Sequence, residues 1–231
     1  MLKALLFDLD GTLANTDPIH YATWKDVLRE YGLTIDRKFY DENFSGRLNA
    51  AIVANLLPQL SAEAGAQLSW NKEAEFRKRA SGELRPLAGL MDILQWANTQ
   101  HLQQAVVTNA PVENAEFMLR VLKLDTYFHT VVIAENLERG KPDPLPYQVA
   151  LDRLGVSAEA AVAFEDSPSG IRSAVGAGVL TVGIASTHAA AELYAVGAKL
   201  VVENFADPKL DELLRFSLHR SPHAIPTATG L

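Results

Sequence analysis

Between residues 89 and 216, short apolar runs alternate with helical patterns, and this rhythm leaves few folds open. The runs cover residues 104–107, 130–133, 161–164, 179–182 and 200–202. The segments 90–97, 112–122, 146–154, 170–175, 189–195 and 208–216 have helical patterning or helix-boundary signals instead. Short strands joined through helices pair in parallel, and both faces of the sheet must then be covered. The expected class is α/β, a parallel sheet with helices on both sides. Ligands of such sheets bind outside the carboxyl ends of the strands. The residues that end each run are therefore the first place to look for chemistry.

One more apolar run, residues 4–7, stands alone near the N-terminus. After it the rhythm is purely helical. Asn15-Thr16-Asp17-Pro18 supplies capping residues and a first-turn proline. Trp24, Val27, Leu28 and Tyr31 follow at helical spacing, and Gly32 ends the helix. Further helical patterns cover 48–56, 62–68 and 72–80, with no strand before Ser81. The chain thus divides into a core of 1–14 and 84–217, and an all-helical lid of 15–83. Two short tethers, 14–17 and 81–86, suit a hinge. Residues 218–231, with Pro222, Pro226 and Gly230, read as a flexible tail.

The first run ends in Asp8-Leu9-Asp10-Gly11-Thr12-Leu13. In an extended chain residues two apart point to one side, so Asp8 and Asp10 repel unless a cation or a shared proton relieves them. Gly11 permits a sharp turn directly after them. This makes a poor core and a good site for a metal and a phosphate. Composition narrows the partners. Twenty-eight acidic against 21 basic residues give a net charge of −7, which disfavours nucleic acid and anionic membranes as partners. There is no cysteine, so thiolate metal sites, thiol nucleophiles and disulfides are excluded. No apolar run reaches the ~20 residues of a membrane helix and no signal peptide precedes the first strand. A soluble, cytoplasmic monomer is expected.

The hexapeptide 8–13 resembles the first motif of the haloacid dehalogenase superfamily of phosphatases and phosphomutases. Thr108-Asn109, Lys141 in Gly140-Lys141-Pro142-Asp143-Pro144, and Glu165-Asp166 resemble its second, third and fourth motifs, in the family's order. The helical insert is similar to the family's first-position cap. The resemblance covers nearly the whole chain and implies a Rossmann-like core. Residues 8–16, His20 and Trp24-Lys25 are similar to the β-phosphoglucomutase-like subfamily. Thr12 and Val106-Val107-Thr108-Asn109 are closer to the sugar-phosphate phosphatases. The dehalogenase branch, whose chemistry needs no metal, is disfavoured by Asp10 and Asp166.

The resemblance implies a nucleophile, Asp8, that forms an aspartyl-phosphate, and a general acid and base, Asp10. A hard cation such as Mg²⁺ takes oxygen ligands. Asp8, Asp166 and a main-chain carbonyl near Asp10 would supply them, which makes Asp8, Asp10 and Asp166 the expected metal residues. Glu165 is either a contact through water or a solvated strand-end charge. The phosphate set is Leu9, Thr108, Asn109 and Lys141. Thr108 alone could equally be a helix cap. On the lid, His20 faces either the site or the lid interior. Arg47, after Gly46, reaches either a sugar hydroxyl or distal phosphate, or solvent, and Lys72 is a weaker candidate. The expected activity is Mg²⁺-dependent hydrolysis of a small phosphorylated metabolite. A phosphoglucomutase and a catalytically silent binding protein on the same fold are the alternatives.

Overall fold

The structure is a computed structural model that describes residues 1–44 and 47–219. Gly46, expected to open a lid helix with Arg47, lies outside them, as does 220–231 of the expected tail.

Six parallel strands form one sheet: β1 (Ala4–Phe7), β2 (Gln103–Thr108), β3 (Thr130–Ile133), β4 (Ala161–Glu165), β5 (Leu180–Ile184) and β6 (Leu200–Val202). Their order is β3-β2-β1-β4-β5-β6. The chain winds outward from β1 to β3, returns to β4 beside β1, then winds outward the other way. The switch point lies between β1 and β4, where parallel sheets open a crevice. Register pairs Phe7 with both Val106 and Phe164, so these three strands end side by side.

β1 is buried on both faces, as a central parallel strand must be. Leu5 and Phe7 face one core, which includes Leu94 of α5 (Leu90–Thr99), Met118 of α6 (Val112–Val121) and Leu214 of α10 (Pro208–His219). Ala4 and Leu6 face the other, with Tyr147 and Leu151 of α7 (Leu145–Leu154) and Ala174 of α8 (Pro168–Gly176). A short helix, α9 (Ala190–Ala195), covers the β5–β6 side through Leu193. The class is the α/β parallel sheet expected.

Among the described residues, the elements between β1 and α5 are all helices: α1 (Asp17–Glu30), α2 (Arg37–Asn43), α3 (Asn49–Leu56) and α4 (Ala62–Glu83). They share an interior of Trp24, Leu28, Tyr40, Phe44, Ile52 and Leu68. This interior is not sealed from the rest, because Ile19, Phe76 and Ala80 join the main core cluster. The two connections to the sheet run side by side, with Leu87 N–H bonded to Leu13 O at 2.9 Å.

Several boundaries differ from the sequence reading by a residue or two, and three of the differences bear on packing. The patterns 62–68 and 72–80 belong to one helix, α4, because Trp70 and Asn71 between them face outward without breaking it. Strand β5 runs two residues past the expected 182, since Gly183 and Ile184 also pair with β6. The last helix continues past 216 to His219, so it takes in the first two residues of the expected tail, and Ser217 O just before them accepts a bond from Leu2 N–H.

Candidate active site

The strand tips converge. Asp8 follows β1, and its N–H bonds to Phe164 O at 2.9 Å, which fixes it beside the end of β4. Glu165 closes β4 and Asp166 follows. One oxygen from each of Asp8, Glu165 and Asp166 lies within 4.8 Å of the others, all three residues buried. Lys141 arrives from the loop after β3. Its Nζ donates to Asp8 Oδ1 at 2.6 Å, Glu165 Oε1 at 2.5 Å and Val107 O at 2.7 Å.

Two glycines make this packing possible. Gly11 has φ +76°, and a Cβ there would collide with the Asp166 carboxylate. A Cβ on Gly170, in the first turn of α8, would enter the Glu165 carboxylate. Thr187 Oγ1 donates a short hydrogen bond to Asp166 Oδ2. Tyr147 donates its hydroxyl to Glu165 Oε1 at 2.6 Å.

One ammonium bonds two of the three carboxylates, and the acidities of Asp8, Asp166 and Lys141 follow. Burial pushes the Asp8 carboxyl up to about 7 although Lys141 pulls it down; Glu165 and Asp10 add to the rise. Asp166 is pushed well above the usual carboxylate range, by burial first and then by Asp8 and Glu165. Burial works against the Lys141 ammonium, but Asp8 and Glu165 outweigh it and hold the lysine charged beyond its ordinary range. Tyr147 is raised well above its usual value by burial and by the Glu165 charge. Such a cluster of shifted acids in a cleft marks a functional site. The donor set suits a hard divalent cation: oxygen atoms only, an excess of negative charge, and a buried Glu165 Oε2 that has no hydrogen bond.

The expected residues fall into place unevenly. Asp8, Lys141 and Asp166 meet. Glu165 is fully buried between Lys141 and Tyr147 and is not a solvated strand-end charge. The Asp10 carboxylate stands apart from the three clustered acids, on the lid side, with His20 Nε2 at 3.5 Å from its Oδ1. His20 therefore faces Asp10 while its ring stacks on Phe76 at 3.9 Å. Leu9 is wholly buried. Thr108 Oγ1 accepts from Ala110 N–H at 2.9 Å, a turn-capping bond. The Asn109 side chain grips the Lys141 backbone twice, accepting from its N–H at 3.0 Å and donating to its carbonyl at 3.1 Å. Arg47 is exposed at the cleft edge. Lys72, the weaker candidate in sequence, is 2% exposed and lies 2.7 Å from His20 Nδ1.

Sequence reasoning missed Tyr147, Thr187, His188, Glu73 and Asn114, all of which line or support this site. None follows a recognisable motif, and the contacts that tie Tyr147, Thr187 and Asn114 to the site come from 18 to 41 residues away. The cleft between strand tips and lid helices has a volume of about 1020 Å³. Among the described residues no helix is long and apolar enough to cross a membrane.

A lysine-bridged acid cluster at the switch point of a parallel sheet, under a helical insertion, defines a class of enzyme whose first acid is both buried and reachable from a cleft. Residues 5–184 match the family described as haloacid dehalogenase-like hydrolase, and the chain belongs to that family. A phosphorylated carbohydrates phosphatase of Thermotoga maritima is 33% identical over 183 residues, which is 77% of this chain and 82% of that protein. A beta-phosphoglucomutase of Bacillus subtilis is 28% identical over 220 residues, 92% of this chain and 94% of that one. Among solved structures, CbbY from Rhodobacter sphaeroides in complex with phosphate superposes with a TM-score of 0.79 at 27% identity, covering 90% of this chain and 96% of its own.

Proposed function

We propose that this phosphoric monoester hydrolase releases phosphate from small sugar phosphates, with Mg²⁺ bound, through an intermediate on Asp8. The observation that carries the reading is the meeting of Asp8, Lys141, Glu165 and Asp166 at the β1–β4 switch point. Similarity to phosphatases of phosphorylated carbohydrates supports the substrate class.

Asp8 Oδ attacks phosphorus and the ester P–O bond breaks, leaving an acyl phosphate on Asp8. Asp10 gives its proton to the departing alkoxide. The resulting Asp10 carboxylate takes a proton from water, whose oxygen attacks phosphorus. The acyl P–O bond then breaks and Asp8 is restored. The place of the Asp10 carboxylate, outside the acid trio and beside His20, supports this division of labour. Asp8 and Asp166 would hold the cation with Glu165 behind them, and the cation would supply Lewis-acid neutralisation of the phosphoryl charge. Lys141 favours the ionised form of Asp8 against the pull of burial and adds positive charge opposite the phosphoryl oxygens. Asn109 fixes the loop that delivers Lys141. Between Thr108 and α6 the Ala110 N–H is taken by Thr108 Oγ1 and Pro111 has none, which leaves the Asn109 N–H as the backbone donor offered to an anion. The lid helices exclude bulk water when seated.

The test is phosphate release from a panel of sugar phosphates with Mg²⁺. The wild type releases phosphate, and Asp8→Asn abolishes it. With β-glucose 1-phosphate, free phosphate supports hydrolysis, whereas glucose 6-phosphate without free phosphate would mark a mutase. Equal release by wild type and Asp8→Asn would remove Asp8 from the chemistry.

A further inference from the structure

The lid meets the core through a buried amide. Asn114, in the first turn of α6, is 2% exposed. Its Oδ1 accepts from Arg77 Nη1 at 2.7 Å, and its Nδ2 donates to Glu73 Oε2 at 2.6 Å. Glu73 and Arg77 lie one turn apart on α4, so one helix face holds both ends of the amide. The contact has a direction: turning the amide over would set donor against donor and acceptor against acceptor.

The same carboxylate continues toward the chemistry. Glu73 Oε1 accepts from Lys72 Nζ at 2.7 Å and from Asn49 Nδ2 at 2.6 Å. Lys72 Nζ lies 2.7 Å from His20 Nδ1, and His20 Nε2 faces Asp10. An ammonium only donates, so His20 Nδ1 accepts from Lys72 and the ring hydrogen is left on Nε2, the nitrogen 3.5 Å from Asp10 Oδ1. Burial alone would raise the Glu73 carboxyl, but the Lys72 ammonium first, and then the Asn49 amide that donates to it, overcome burial and hold it at about 2. Within the lid, then, one charged line joins two points of contact with the core, Asn114 at one end and Asp10 at the other.

We propose that Glu73, Arg77 and Asn114 form a docking clamp that seats the lid so that His20 aims Asp10. Neither Glu73 nor Asn114 is among the clustered acids, and both act through other side chains; they are positioning residues. When α4 lifts from α6 the clamp opens and His20 leaves Asp10 in the same movement. The inference rests on the reading of Asp10 as the proton donor to the leaving group.

The test compares two substrates in the full-length protein with Mg²⁺. A sugar phosphate needs a proton on its departing alkoxide, whereas p-nitrophenyl phosphate loses a nitrophenolate that needs none. Because kcat/KM reports only steps up to loss of the leaving group, it isolates this difference. Asn114→Asp sets carboxylate against carboxylate, and Glu73→Gln sets amide N–H groups against each other. Each single change lowers kcat/KM for the sugar phosphate at least ~10-fold, a part of the ~10²–10⁴ that general acid catalysis supplies. For p-nitrophenyl phosphate the loss stays within about threefold, since proton donation contributes little there. The double variant Glu73→Gln/Asn114→Asp restores a donor-to-acceptor match, with Arg77 still donating to residue 114, and recovers most of the loss. An equal loss on both substrates, or no recovery in the double variant, overturns the clamp. If the wild type hydrolyses neither substrate, the phosphatase reading fails and the clamp is judged by amide hydrogen exchange. Exchange in α4 is faster in each single variant and slower again in the double; unchanged exchange overturns it.

Discussion

Removing the Lys141 ammonium probes the charge balance of the site directly. Lys141→Met keeps a long, flexible side chain but no donor. The ammonium is 3% exposed and makes three hydrogen bonds, two of them to carboxylates. Each bond to a charged group is worth ~1.5–3 kcal/mol, so the gross loss exceeds 4 kcal/mol. Asp8 can escape part of it by taking up a proton, because its carboxyl already lies at about 7. The net cost therefore falls within the ~3–5 kcal/mol typical of breaking a buried ion pair from one side. With a urea slope of about 3 kcal/mol per molar, the unfolding midpoint drops by about 1 to 1.7 M. The assay is urea unfolding at neutral pH in the presence of a chelator, which keeps bound cations from masking the loss. Adding Glu165→Gln removes one of the two stranded acids, so the double variant regains at least about 1 kcal/mol over Lys141→Met. A loss under about 1 kcal/mol, or additive behaviour of the pair, would refute the shared-ammonium account.

Three further outcomes are expected. Gly11→Ala forces a Cβ into the Asp166 carboxylate at φ +76°; it costs ~1–3 kcal/mol in strain and more than tenfold in phosphate release, read by thermal unfolding and a phosphate assay. Tyr147→Phe removes one of two donors to Glu165 Oε1 while Lys141 remains; it costs ~1–2 kcal/mol, with phosphate release changed less than by Lys141→Met. Glu73 has a folded pKa of about 2, below its ordinary 4.5. Its stabilisation is therefore present above pH 4.5 and is lost as pH falls toward 2. Unfolding curves against pH should lose that part of their acid limb in Glu73→Gln.

The parallel sheet was legible because its strands are short apolar runs separated by helical patterns, and all six runs form strands. Asp8, Lys141 and Asp166 were legible because each ends or follows a strand at the carboxyl edge. What brings them together is strand order, with β4 returning to β1, and that order follows from packing, not from any local pattern. Glu165 shows the limit plainly. At a strand end it reads as either a contact through water or a solvated charge, and only the approach of Tyr147 and Lys141, 18 and 24 residues away, makes it a buried acceptor. Asn109 similarly reads as a backbone site after a strand, while its side chain holds the Lys141 loop from 32 residues away. The patterns 62–68 and 72–80 were not legible as one helix because helical patterning registers only the buried stripe, and Trp70 and Asn71 lie off it.

The most direct measurement is capture of the phosphorylated enzyme. Rapid acid quenching of the wild type mixed with Mg²⁺ and a sugar phosphate, followed by borohydride reduction and peptide mass spectrometry, converts a phosphorylated aspartate to homoserine. The conversion should fall on residue 8 and disappear when substrate is withheld. Phosphate release at full rate with residue 8 unmodified, or with the modification at another acid, would contradict the account.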